Sequence, residues 1–243
     1  METNLSECKK KKTIIGVIKL DTKFQRIRGD IGNPRTWNFP VIYQIMEGIF
    51  PERAVYHTDS ELLVKAIETA KILEKKGVNG ITTSCGFLGK FQKEISNSVQ
   101  VPVFTSSLLQ IPLIYNLLNK DRKIGVLTAN YKSLTKEHLV GSGIKNIPLV
   151  IKGMDDYKYF QRVFVKDQLA NFNRERVKAE IIDAAIDLRR SCDELGAAVL
   201  ECTNMSPYAY DIQKYIDLPV FDMYSLMQWM YTGLAKQKFN ELE

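Results

Sequence analysis

Two segments of this chain repeat one another at matched spacing. The first reads Gly-Ile-Thr-Thr-Ser-Cys-Gly-Phe over residues 80–87 and continues to Val101, Pro102, Val103 and Phe104. The second reads Ala-Ala-Val-Leu-Glu-Cys-Thr-Asn over residues 197–204 and continues to Leu218, Pro219, Val220 and Phe221. Cys85 and Pro102 are 17 positions apart, and so are Cys202 and Pro219. In each copy a helical pattern and a glycine, Gly77 or Gly196, precede a short apolar run that ends on the cysteine. Such a repeat is one α/β unit used twice, with a thiol at the same structural place in each half.

The rest of the chain extends that pattern. Residues 13–20 form a continuous β-rich apolar run, as expected of a parallel strand buried on both faces, and residues 123–128 echo it, Ile15-Gly16-Val17-Ile18 against Ile124-Gly125-Val126-Leu127. The second half therefore restarts near Lys123. Residues 147–151 read as its next strand. Thr58-Asp59-Ser60-Glu61 offers a capping box to the helix that Gly77 ends, and Asn173 caps a helix that Gly196 ends. Residues 23–40 form a loop longer than a packing link needs, with Trp37 and Phe39 as candidates to pin it to the core. Strands alternating with helices predict an α/β fold of two pseudo-symmetric lobes, each a mostly parallel sheet flanked by helices. The site then lies in the cleft between them, beyond the carboxyl ends of the strands. Asp21, Thr22, Cys85, Thr128 and Cys202 all stand at such ends.

Composition narrows the function classes. A chain of 243 residues, 45% hydrophobic and 26% charged, is an ordinary globular protein with room for a sizeable core. No apolar run approaches the roughly 18 to 20 residues that cross a bilayer, and no apolar leader precedes Thr13, so the expected location is the cytoplasm. Residues 1–12 hold four Lys and two Glu of a formal net charge of +6 and read as a disordered basic tail. The remainder shows no basic stripe interleaved with aromatics, so a nucleic-acid partner is not expected. Four cysteines, at 8, 85, 192 and 202, lack metal-ligand spacing. No Gly-rich nucleotide loop follows a strand, and the reading needs neither metal nor cofactor.

A thiol at the junction of a strand and a helix has backbone N–H groups and the positive helix end beside it, which lowers its pKa from about 8.5 toward neutrality. The small polar neighbours Thr83, Ser84, Gly86, Thr203 and Asn204 suit a grip on a carboxylate. A symmetric pair of thiols suits proton transfer on opposite faces of one carbon, one as thiolate base and the other as thiol acid.

The Thr82-Thr83-Ser84-Cys85 and Cys202-Thr203-Asn204-Met205-Ser206-Pro207 motifs, over nearly the whole chain from Thr13, resemble the aspartate/glutamate racemase superfamily, the two-cysteine racemases that include hydantoin racemases. The resemblance implies a cofactor-independent racemase or epimerase acting on an amino acid, related carboxylic acid or hydantoin. Cys85 and Cys202 would be catalytic, with Asp21, Thr22, Ser84, Gly86, Phe87, Thr128, Thr203 and Asn204 around the substrate. It further implies one lobe of residues 13–105 plus 222–243, a second of residues 106–221, and assembly as a homodimer. Gly86-Phe87 after the first cysteine, Asn204 after the second Cys-Thr, and Leu20-Asp21-Thr22 in place of a glycine-rich first loop depart from aspartate and glutamate racemases. The alternatives are a single-cysteine relative, a decarboxylase or cis-trans isomerase of the same superfamily; a Cys-His hydrolase using His57 or His138; and a non-catalytic binding protein on the same scaffold.

Overall fold

The computed structural model describes residues 12–238, so that all of the expected basic tail except Lys12 lies outside the described residues. It contains two four-stranded parallel sheets of identical topology. The first has the order β2-β1-β3-β4, from β1 (Ile15–Leu20), β2 (Val41–Met46), β3 (Gly80–Thr83) and β4 (Val103–Phe104). The second has the order β6-β5-β7-β8, from β5 (Lys123–Thr128), β6 (Leu149–Gly153), β7 (Leu195–Leu200) and β8 (Val220–Phe221). All ladders are parallel, with Gly16 opposite Ile81 in one sheet and Gly125 opposite Ala198 in the other.

The repeat in the sequence is thus a repeat of topology. In each sheet the opening strand is central, its successor lies on one side, and the cysteine-bearing strand lies on the other. The chain leaves the central strand in opposite directions in its first and second crossovers, so a crevice opens at the carboxyl ends of β1 and β3 and again at those of β5 and β7. The apolar run of β1 is buried at Ile15, Val17, Ile18 and Leu20, as a strand covered on both faces requires. The lobes are stitched together at this end. Thr203 Oγ1 donates to the Ser84 carbonyl at 2.8 Å.

Several local expectations are corrected. The segment after the long loop is a strand, β2, which the sequence does not advertise because it is an edge strand of intermediate burial and lacks clean alternation. Asp59, not Thr58, caps the helix Ser60–Lys75, its carboxylate accepting from Leu62 N, while Thr58 Oγ1 turns back to the Ala54 carbonyl. Gly77 does follow that helix, at φ +76°, where a side chain would be strained. Gly196 ends no helix: the helix Arg174–Arg190 stops earlier and Gly196 lies inside β7, where a Cβ would press on Leu118 and Arg122. Asn173 caps that helix by accepting from Arg176 N.

The loop of residues 23–40 is fastened at both ends. Trp37 and Phe39 join Ile15, Val17, Met223 and Leu226 in a buried cluster beside the main core. On its other side the loop reaches the second lobe, with Lys23 N donating to Gln168 Oε1 at 3.1 Å and Gln25 N to the Ala170 carbonyl at 3.2 Å. Gly29, at φ +98°, sits against Pro207, whose Cα would lie 2.9 Å from any added Cβ. No described helix is long and apolar enough to cross a membrane.

Candidate functional site

Each cysteine lies two residues beyond the end of its strand, and the intervening residue extends the ladder by one rung. Ser84 N donates to the Ile18 carbonyl and Glu201 N to the Leu127 carbonyl, both at 2.8 Å. Cys85 and Cys202 then open short 3₁₀ turns, Gly86–Phe91 and Thr203–Tyr208. Their side chains keep 7% and 8% exposure and line the same cavity. The cavity is narrow, with a volume of about 30 Å³.

Of the other residues singled out from the sequence, Thr22, Ser84, Gly86, Phe87, Thr203 and Asn204 line this cavity with the two thiols. Asp21 and Thr128 are not among the lining residues. Asp21 Oδ2 instead accepts from Gly48 N at 3.1 Å, and Thr128, fully buried, donates from Oγ1 to Glu201 Oε2 at 2.8 Å. Neither histidine lines the cavity, so no Cys-His pair forms there. His57 is exposed. His138 is buried in the capping box of the helix Lys136–Gly141, and burial pushes its pKa down to about 4.

Two charged residues in the cavity wall carry no motif that marks them in the sequence. Arg26, from the long loop, holds Asp30 Oδ1 with Nη1 at 2.7 Å, and both side chains are nearly buried, at 6% and 4% exposure. Its Nη2 approaches Thr22 Oγ1 at 3.4 Å, and its buried Nε has no hydrogen-bond partner. Glu201 is wholly buried. Its Oε2 accepts from Thr128 Oγ1 and, at 3.5 Å, from Ala129 N, while Oε1 has no partner. Burial pushes its pKa up to about 7, against which the Thr128 and Ala129 bonds act. The signal available in the sequence for Glu201 was its place immediately before Cys202. For Arg26 it was the unusual length of its loop, whose turns are wired to hold it: Asn33 Nδ2 donates to the Arg26 carbonyl and Gly32 N to Asp30 Oδ1.

The expected lowering of the thiol pKa is also corrected. Burial pushes Cys85 up to about 12, and the charge of Glu201 adds to the rise. N–H groups of Phe87 and Leu88 and the charge of Arg26 oppose it without winning. Cys202 is likewise raised, by burial first and then by Glu201, against the N–H of Asn204. Removing a sulfur from water costs more than one turn of helix returns. Burial thus favours the thiol over the thiolate at both positions. Cys192, the remaining cysteine described, lies outside the cavity and donates to Glu194 Oε2 at 2.9 Å.

With the geometry in place, similarity to known proteins bears on the chemistry. No protein-family model matches the chain. It is 29% identical over 215 residues to a dimethylsulfoniopropionate lyase of Durusdinium sp. clade D, an alignment covering 86% of this chain and 70% of that one. It is 27% identical over 230 residues to dimethylsulfoniopropionate lyase 3 of Emiliania huxleyi (strain CCMP1516), covering 90% of this chain and 59% of that one. The chain thus spans some three fifths to seven tenths of the length of these curated relatives. Among solved structures, unliganded arylmalonate decarboxylase superposes with a TM-score of 0.59 at 12% identity, over 94% of both chains. Picrophilus torridus aspartate racemase superposes with a TM-score of 0.58 at 18% identity, over 94% of this chain and 96% of that one.

These relatives overturn the expectation of an amino-acid racemase or epimerase. The similar curated sequences are lyases, and at such low identity the racemase structures carry the fold alone. The reading of the chain as an enzyme stands; its assignment to the isomerases does not, and the alternative of a single-cysteine relative, a decarboxylase or cis-trans isomerase, fits better than a racemase. The chain has the α/β fold of two parallel sheets seen in arylmalonate decarboxylase and aspartate racemase, with the thiols that follow β3 and β7 lining one cavity.

Proposed function

We propose that this chain is a lyase that eliminates dimethyl sulfide from dimethylsulfoniopropionate or a closely related β-sulfonio carboxylate. The observation that carries this reading is a two-thiol cavity with a buried arginine in its wall, on a chain similar over most of its length to lyases of that name.

The chemistry follows from the site. The Arg26 guanidinium, in the cavity wall, receives the carboxylate and stabilises the charge that builds on it in the transition state. A thiolate from Cys85 or Cys202 removes a proton from the α-carbon. The released electron pair forms the double bond to the β-carbon, and the C–S bond breaks with its own pair kept by sulfur. The products are neutral dimethyl sulfide and acrylate; the abstracted proton is left on the cysteine, whose own thiol proton passes to solvent when the substrate cation binds. Thiols raised by burial are poor bases until a cation arrives, because a positive charge nearby favours the thiolate. The sulfonium group supplies that cation, so proton removal is tied to substrate binding. An α-carbanion beside a carboxylate is also what racemisation of aspartate or decarboxylation of an arylmalonate would pass through. The fold is therefore suited to the intermediate, and its fate is set by the leaving group on the substrate.

The test is to incubate the purified chain with dimethylsulfoniopropionate and follow dimethyl sulfide by gas chromatography and acrylate by NMR. Equal amounts of the two support the reading; absence of both in folded protein sinks it.

A further inference from the structure

The pseudo-symmetry of the two lobes breaks at one position that faces the substrate. Ser84 and Glu201 are equivalent, each adding a 2.8 Å rung beyond its strand. Their side chains even accept from equivalent N–H groups, Ser84 Oγ from Leu20 N at 3.3 Å and Glu201 Oε2 from Ala129 N at 3.5 Å. The first lobe therefore has a hydroxyl residue in the cavity wall where the second has a carboxyl residue.

Among the described residues no cation pairs with that carboxyl. Arg26, the one cationic residue lining the cavity, is already engaged by Asp30. Nor is Glu201 satisfied by hydrogen bonds, since Oε1 is buried without a partner. Arg26 and Glu201 are both residues of the cavity wall, and the carboxyl of Glu201, packed against Gly86, has no cationic partner there. A ligand cation in the cavity supplies the counter-charge that the protein does not, whereas a plain carboxylate leaves the buried carboxyl unpaired, which is costly.

The surrounding wall chooses between kinds of cation. Leu20, Phe24, Val55, Phe87, Phe164 and Val165 are apolar and offer no acceptors. An ammonium group would bring N–H donors that this wall leaves unpaired, whereas a methylated onium has none and is attracted to aromatic rings. We propose that Glu201 is the counter-charge for the onium group of the substrate, so that the site selects carboxylates bearing a permanent cation over uncharged ones of the same shape. This rests on the lyase reading and deepens it, with Glu201 as a specificity-determining residue rather than the base.

The probe is a pair of unreactive shape-matched acids, 3-(trimethylammonio)propionate and 4,4-dimethylpentanoate, which differ in a nitrogen cation against a carbon. Their Kd values are measured by titration calorimetry at pH 8 and pH 5.5. The ionisable groups facing Glu201 are the Cys85 and Cys202 thiols, both raised in pKa by burial, and the Arg26–Asp30 pair also stands at the cavity. Wild type binds the onium acid about tenfold or more tighter at pH 8, and the preference collapses at pH 5.5, where Glu201 is protonated. Glu201→Gln erases the preference at both pH values. Thr128→Val, which strips a hydrogen bond from the same carboxylate but keeps its charge, moves the onset of the preference to higher pH. The wild-type pH dependence and Thr128→Val remain decisive if Glu201→Gln does not fold.

Equal binding of the two acids by wild type at pH 8, binding of neither, or a preference that survives Glu201→Gln overturns the inference. Dimethyl sulfide release by a wild type that binds both acids equally would overturn it and leave the lyase reading standing. A tenfold preference without dimethyl sulfide release would do the reverse.

Discussion

Gly86 of the first lobe lies against Glu201 of the second so closely that a Cβ added at Gly86 would stand 2.9 Å from the Glu201 carboxyl carbon and nearer still to its carboxyl and carbonyl oxygens. The residue after one cysteine is thereby packed on the residue before the other. Part of the obstacle is backbone, which cannot swing away. Gly86→Ala is therefore expected to push the lobes apart at the two thiols, lowering kcat/KM for elimination by about a hundredfold and stability by roughly 1–3 kcal/mol. Full activity and an unchanged thermal melt in this variant would contradict the close packing.

Arg26 is the predicted carboxylate anchor. Arg26→Lys keeps a charge but loses the planar fork, and Arg26→Gln loses both. Steady-state kinetics should show kcat/KM falling by about one order of magnitude for the lysine and two to three for the glutamine. Arg26→Gln also strands Asp30, which is 4% exposed. The double variant Arg26→Gln/Asp30→Asn should recover stability relative to Arg26→Gln and recover no activity. Recovery of activity would show that the pair serves only to fix the loop.

Glu201 makes stability depend on pH with a definite sign. Its folded pKa, about 7, lies above the ordinary value of 4.5 because burial penalises the charged form. Its contribution to the folded state is fully present below about pH 4.5 and is lost as pH rises through 7. The loss is on the order of 3 kcal/mol. Melting temperatures from pH 5 to pH 8.5 should fall in wild type relative to Glu201→Gln, whose curve lacks this component. Parallel curves would contradict the burial of an ionisable carboxyl.

The histidines give a negative control. His57→Ala should retain elimination within about twofold. His138→Ala should cost roughly 1 kcal/mol of stability through its lost cap bond to Thr135. Abolished turnover in a folded His57 variant would revive a Cys-His mechanism.

The architecture was legible because it is repeated. Matched spacing about Cys85 and Cys202, and the echo of Ile15–Gly16–Val17 in Ile124–Gly125–Val126, carry the two sheets and their central strands. β2 was not, because an edge strand meets fewer neighbours and so imposes less pattern on its residues. The thiol environment was misjudged because a helix terminus is visible in sequence while the depth of burial is not. Arg26 was hidden for a related reason: its role comes from a loop that folds across to Gln168 and Ala170, and contacts of that span leave no local signature. The direction of the chemistry was missed for another reason. Paired cysteines announce removal of an α-proton, but what happens to the resulting electron pair is decided by the substrate.

The central claim is that both thiols of one cavity serve elimination from a β-sulfonio carboxylate. It is tested most directly by comparing wild type, Cys85→Ser and Cys202→Ser for dimethyl sulfide release from dimethylsulfoniopropionate, with circular dichroism to verify folding. The account predicts release of dimethyl sulfide and acrylate in equal amounts by wild type, and a fall of about a thousandfold or more in each folded variant. Undiminished release by either folded serine variant would contradict it.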